Sequence, residues 1–188
     1  MKIYLAGSLR NREYITTTAI ELQKQLGCEV FADWAATSAD ADDNWKHYEQ
    51  SRGFSYVEAL KRPAAQNVYL FDKKHIDESD IMIVAMPAGK SAFLELGYHL
   101  GKGKPGYILL ESNNDRWDVM FNFATGVYDK LSELVGGIKS EHMTYQHVKL
   151  RRLGYLYGKS NLLTVTGRLP TGPAMQELPG EGDRDYEI

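Results

Sequence analysis

Glu95 is the residue in this chain whose setting most demands a chemical explanation. It lies in the run S-A-F-L-E-L-G-Y-H-L-G, directly between Leu94 and Leu96 and close to Ala92 and Phe93. Solvated surface glutamates usually have polar neighbours, and this one does not. An acid in an otherwise apolar helix has three roles open to it. It can attack a sugar carbon as a nucleophile, accept hydrogen bonds from ribose hydroxyls, or rest as a charge stabilised near a helix N-terminus. Tyr98 and His99, three and four residues on, are within reach on a helix, and a surface pair of Glu95 with His99 is the plainer alternative.

Other polar groups fall into short clusters. Gly89, Lys90 and Ser91 open the helix that carries Glu95, where backbone amides favour an anion. Gly7 and the loop Ser8-Leu9-Arg10-Asn11-Arg12 follow the first apolar run, and Asp33-Trp34 closes the second. Asp72, His75, Asp77 and Asp80 stand in F-D-K-K-H-I-D-E-S-D. Asp77 and Asp80 are expected to cap or solvate a helix-to-strand turn, and His75 to lie at the surface. Asp40, Asp42 and Asp43 suggest a cation, but their spacing lacks the glycine and distal glutamate of an EF-hand loop. They read as a capping loop, and no metal is expected.

The elements that must hold these groups alternate. K-I-Y-L-A-G is a short strand, followed by a helix through Ile15, Ala19, Leu22 and Leu26 that Gly27 ends, because glycine accepts the left-handed backbone of a C-cap. Cys28 to Ala32 make a second strand, so the opening is β-loop-α-β, a parallel pair with a right-handed crossover. Helix is expected to start near Asp42 to Asn44 and to run through Phe71, divided at Gly53 and Pro63. Trp45, Tyr48, Tyr56, Leu60 and Tyr69 supply bulk there, as core or as a stacking surface for a base. Ile81 to Met86 is the central strand, the Glu95 helix follows, Gly101 to Gly106 turns, and Tyr107 to Leu110 is the fourth strand. R-W-D-V-M-F-N-F precedes a helix from Leu131 to about Ile138. Alternation of this kind argues a doubly wound α/β domain with a parallel sheet of about five strands and flanking helices. In such sheets ligands bind at the carboxyl ends of the strands, which is where the Ser8, Asp33 and Gly89 segments fall.

The chain has 188 residues and a formal net charge of −3 with both signs scattered. That excludes a global field for a nucleic-acid polymer or an anionic membrane. Its single cysteine, Cys28, excludes an internal disulfide framework and reads as a small apolar residue in a reducing compartment. Neither a signal peptide nor an apolar run long enough for a bilayer is present, and a cytoplasmic protein is expected. Residues 1–138 are expected to form the α/β domain. Residues 139–188 are expected to form a helix from His142 to Tyr157 and a glycine-, proline- and acid-rich tail.

Taken in order, K-I-Y-L-A-G-S-L-R, F-D-K-K-H-I-D-E-S-D and L-E-L-G-Y-H-L-G-K-G-K-P resemble the nucleoside 2-deoxyribosyltransferase family. That superfamily also includes nucleoside 5'-monophosphate N-glycosidases. The resemblance covers roughly residues 1–138 and implies a flavodoxin-like, Rossmann-like sheet. It implies an enzyme that breaks N-glycosidic bonds without a cofactor, on a small nucleoside or nucleotide. Glu95 then matches the nucleophile, Asp72 the acid at the departing base, and Tyr4 a tyrosine that orients the nucleophile. Asp118 and Met120 match a segment lent by a neighbouring subunit to the 5' end of the sugar, which implies a homodimer or larger homo-oligomer with shared sites.

Two departures bear on the substrate. The transferases often carry an aspartate, and the hydrolases a phosphate-binding serine, where this chain has Gly89. Lys90 and Ser91 stand beside it, and Ser8, Arg10 and Arg12 resemble a phosphate-holding loop. Asp118 opposes a 5'-phosphate and suits a free hydroxyl. The first expectation is therefore hydrolysis of a nucleotide or nucleoside, and the second is exchange of one base for another. An NAD glycohydrolase and a non-catalytic nucleotide-sensing module are the further alternatives.

Overall fold

Lys2–Ala6 forms β1, Glu29–Phe31 β2, Ile81–Ala85 β3, Gly106–Leu109 β4 and Gly126–Tyr128 β5. Every neighbouring pair is parallel, and the order is β2-β1-β3-β4-β5. This is the flavodoxin-like order of the doubly wound fold. The computed structural model describes residues 1–32, 34, 41–110 and 118–141, without the side chains of 41–43. The chain divides into two compact units, Met1–His147 and Val148–Ile188, and all described residues belong to the first. Asp33, Asp40, the side chains of Asp42 and Asp43, and the expected C-terminal helix and tail lie outside the described residues.

Side chains alternate across each strand, so one sheet generates two apolar layers. Ile3, Leu5, Ile83 and Leu109 face α1 (Arg12–Leu26) and α6 (residues 131–141) through Ile15, Leu22, Leu134 and Ile138. Tyr4, Ala6, Met82, Val84 and Ile108 face α4 (Pro63–Glu78) and α5 (Lys90–Gly101) through Ile76, Ala92 and Leu96. Every residue of β3 is buried, as a central strand covered on both faces requires.

Local chemistry sets the helix boundaries. Gly27 has φ 60° and closes α1 by donating its N–H to the Gln23 carbonyl. The stretch after β2 breaks where expected. It gives α2 (Ala41–Ser51), a turn at Gly53 with φ 80°, α3 (Tyr56–Ala59) with a Ser55/Glu58 capping box, and α4 with Pro63 in its first turn. Glu49 is fully buried and pairs with Arg62 at 2.9 Å, joining α2 to the start of α4, while Arg62 stacks on Phe54.

Several boundaries differ from expectation: β3 ends at Ala85, β4 spans Gly106–Leu109 and α2 begins at Ala41, each within a residue of the expected bound. β2 is three residues long, because it is the edge strand and pairs only with β1. Cys28 precedes it, half-buried against the core, with its thiol pKa pushed up by burial. α6 runs past Ile138, and Glu141 accepts a hydrogen bond from the Tyr107 hydroxyl at 2.5 Å. No helix among the described residues is long and apolar enough to cross a membrane.

Candidate active site

The order β2-β1-β3 makes the gap between β1 and β3 the switch point, where successive crossovers leave on opposite faces. Gly7 leaves β1 there. A β-carbon on it would collide with the Ile15 side chain of α1 and lie 3.2 Å from the Ala85 carbonyl, so any side chain here must displace buried Ile15. Ser8 follows and caps a 3-10 turn, Leu9–Asn11, by accepting from the Arg10 N–H at 3.3 Å. Arg10 and Arg12 are exposed beside it. Across the gap, the turn after β3 leads to Gly89, the N-cap of α5, and Gly89, Lys90 and Ser91 are all exposed.

Three of the sequence candidates share one face of the sheet. Tyr4 is 2% exposed and stacks on Phe31 with ring centroids 5.5 Å apart. Asp72 is half-buried on α4, one turn before buried Ile76, and so lies along the helix line that faces the sheet. Glu95 is half-buried on α5, between the sheet-facing Ala92 and Leu96 and one turn after Ser91. α4 and α5 both cover the sheet face that carries Tyr4, through Ile76, Ala92 and Leu96.

The opposite flank of α5 has a different character. A cavity of about 760 Å3 is lined by Met86, Gly89, Lys90, Phe93, Gly97 and Leu100 from the α5 side. Ile108 of β4 and the segment Asp118 to Ala124 complete it. Asp118 caps the 3-10 turn Val119–Phe123 by accepting from the Met120 N–H at 3.0 Å, and Phe121 stacks on Phe93 at 5.5 Å. At about 100° per residue, Glu95 points some 160° away from Phe93 and Gly97. The acid therefore looks toward α4 and not into this cavity. Gly89, Lys90, Asp118 and Met120 gather around the cavity, whereas Tyr4, Asp72 and Glu95 belong to the sheet face covered by α4 and α5 and do not line that cavity.

Several roles expected of single residues change. Trp34 donates its indole N–H to the Leu5 carbonyl at 2.7 Å and packs against both apolar layers, so its polar atom is used by the fold. His75 is no surface residue: it stacks on Phe31 at 3.7 Å and 9°, continuing the column from Tyr4 toward Phe71. The Glu95–His99 surface pair does not form. His99 is fully buried, and neither ring nitrogen makes a hydrogen bond of normal geometry. Burial, and then Lys104, push its pKa down, while carbonyls of Pro105, Ile76 and Asp80 oppose this only in part. Tyr98 turns to Asp77, which is not a cap. Asp80 instead accepts from the Lys2 N–H at 2.8 Å. Among the described residues no three potential ligands gather as a metal site.

This is a flavodoxin-like α/β domain with two half-buried carboxylates beside its switch point. No protein-family model matches the sequence, and no curated protein matches it. Two similar solved structures are a 2-deoxyribosyltransferase from Bacillus psychrosaccharolyticus and the CMP N-glycosidase BcmB of Clostridium botulinum. The first is 20% identical with a TM-score of 0.49, over 72% of this chain and 90% of that one. The second is 16% identical with a TM-score of 0.40, over 74% of this chain and 99% of that one. At such identity and overlap neither assigns a residue or an activity to this chain.

Proposed function

We propose that this chain is an enzyme that breaks the N-glycosidic bond of a nucleoside 5'-monophosphate or a (deoxy)nucleoside, with hydrolysis as the main outcome. The observation that supports this is the half-burial of two carboxylates, Glu95 on α5 and Asp72 on α4, on the two helices that cover the sheet face carrying Tyr4. Glycosidic cleavage develops positive charge on the sugar, which a carboxylate beneath the anomeric carbon stabilises and captures. Glu95 bonds to that carbon as the bond to the base breaks, and Asp72 gives the departing base its proton. Water then attacks the same carbon, its proton returns to Asp72, and Glu95 is released. Tyr4 orients the nucleophile. Ser91, on the Glu95 flank, and Ser8, Arg10 and Lys90 at the strand edge receive the 5' end.

Base exchange is the second reading, and Asp118 favours it. Lent by a neighbouring protomer to the 5' end of the sugar, its carboxylate repels a phosphate and accepts from a hydroxyl. We also read the chain as a homo-oligomer, because Leu94, Met120 and Phe123 around the cavity beside α5 are 77%, 61% and 79% exposed.

The test is intact-protein mass spectrometry after exposure to a 2'-fluorinated nucleoside and its monophosphate. The expected result is one glycosyl adduct, mapped to Glu95. An adduct elsewhere, or none with binding confirmed, rejects the mechanism. Chromatography of products formed from natural substrates, with and without a second base, separates hydrolysis from exchange.

A further inference from the structure

α4 and α5 are fastened to each other at one end. Asp77, on α4, accepts a hydrogen bond from the Tyr98 hydroxyl at 2.8 Å and another from the Lys102 ammonium, both from the end of α5. Its second oxygen pairs with Lys73, one turn back on α4. The Lys73 and Lys102 ammonium groups also lie 5.3 and 5.2 Å from the centre of the Tyr98 ring. Lys104, just beyond α5, donates to the carbonyls of Asp77 and Ser79 at 2.6 and 2.7 Å, so backbone as well as side chains are tied at this end. Lys102 first, then Lys73 and Tyr98, hold the Asp77 carboxyl well below the usual carboxylate range. The Asp77 carboxyl is therefore ionised at neutral pH.

The place of this clasp along the helices gives it a consequence for the site. The two helices run in the same direction, so positions later in sequence lie toward the same end. At 1.5 Å per residue, Asp77 lies about 7.5 Å beyond Asp72, and Tyr98 about 4.5 Å beyond Glu95. The clasp sits just beneath the two carboxylates, on the side away from Gly89 at the start of α5. We propose that Asp77 is a positioning residue: by drawing Tyr98 and Lys102 to α4 it fixes the separation of α4 and α5 and, through it, the spacing of Asp72 and Glu95. This rests on the roles given to those two acids above. A displacement of about 1 Å in a catalytic pair costs roughly a hundredfold in rate, so a loosened clasp acts mainly on kcat.

The experiment compares wild type with Asp77→Ala, Tyr98→Phe and Asp77→Asn, measuring kcat and KM on the best natural substrate and amide hydrogen exchange along both helices. For Asp77→Ala the expected result is a loss of about tenfold to a hundredfold in kcat with KM changed less than about threefold, and faster exchange in α4 and α5. Tyr98→Phe, which removes one hydroxyl, gives a smaller loss in the same direction and serves if Asp77→Ala fails to fold. Asp77→Asn keeps an acceptor for Tyr98 and recovers part of the rate. Unchanged kcat, or a change confined to KM, overturns the positioning role even where exchange quickens. Should wild type show neither turnover nor adduct, the functional reading falls separately. Exchange then decides the clasp, and unchanged protection in Asp77→Ala overturns it.

Discussion

Glu95 and Asp72 are both half-buried, yet the proposed mechanism asks different things of them, and substitution separates the two. Glu95→Gln keeps the shape and removes the charge that captures the sugar. It is expected to lower kcat by about a thousandfold or more, roughly 4 kcal/mol of transition-state stabilisation, with ligand affinity retained in calorimetric titration. A non-catalytic nucleotide sensor predicts the same affinity and no activity to lose. Asp72→Asn removes the proton donor, so kcat falls by about a hundredfold or more. The loss is smaller for bases that leave easily without protonation, and the limb of the pH–rate profile due to the acid disappears. Gly7 tests the scaffold beneath them. Its missing side chain leaves room for Ile15 of α1, so Gly7→Ala forces a β-carbon against that buried side chain. A cost of about 1–3 kcal/mol is expected, read as a lower denaturation midpoint with an unchanged slope.

Among the elements, α5 is seated by a residue with no evident part in the chemistry. His99 is buried between α5 and the start of β3 and β4, faced by Lys104 and by carbonyls of Pro105, Ile76 and Asp80. Its pKa is lowered from 6.5, chiefly by burial. The unfolded chain therefore binds this proton more readily, and the stability is fully present above the unfolded pKa and declines as pH falls from there toward the folded pKa. Thermal melts should show Tm falling as pH drops below 6.5, and His99→Leu should remove that fall. A loss at more acidic pH remains, from Glu58, Glu78 and Asp77, whose pKa values are lowered by Ser55, Lys2 and Lys102 in turn. The element order through β4 was legible in the sequence because its boundaries have local causes: Gly27 closes α1, Gly53 and Pro63 divide the helical stretch, and β3 is an unbroken apolar run; the three-residue edge strand β5, Gly126–Tyr128, carries no such signal. His99 and His75 were not legible either, because their surroundings come from elements distant in sequence. Spacing along α4 shows that His75 lies three residues after Asp72, but not that Phe31 of β2 lies against it.

For the molecule as a whole, the candidate site was legible as residues but not as sides. An acid among apolar neighbours marked Glu95, and strand-to-helix turns marked Ser8 and Gly89. Sequence offers no means of seeing that α5 would divide these groups, with Asp72 and Tyr4 on one flank and Asp118 and Met120 on the other. That division bears on assembly. On the cavity flank Leu94, Val119, Met120 and Phe123 are between 61% and 79% exposed, and on α4 the consecutive residues Val68, Tyr69, Leu70 and Phe71 are all exposed. Four consecutive helical positions sweep about 300° around the axis, so partly exposed apolar side chains flank the sheet-facing line of α4 on both sides. Monomeric soluble proteins seldom leave apolar patches larger than a few hundred Å2 uncovered, and burying such area contributes about 25 cal/mol per Å2. The expected outcome of sedimentation equilibrium is thus a mass at least twice that of one chain. Phe123→Asp, exposed in the protomer and unconnected to either carboxylate, should shift that mass toward one chain and leave the protomer's circular dichroism unchanged. A wild-type protein that sediments as a single chain at every concentration rejects the homo-oligomer, and with it any sharing of sites between protomers.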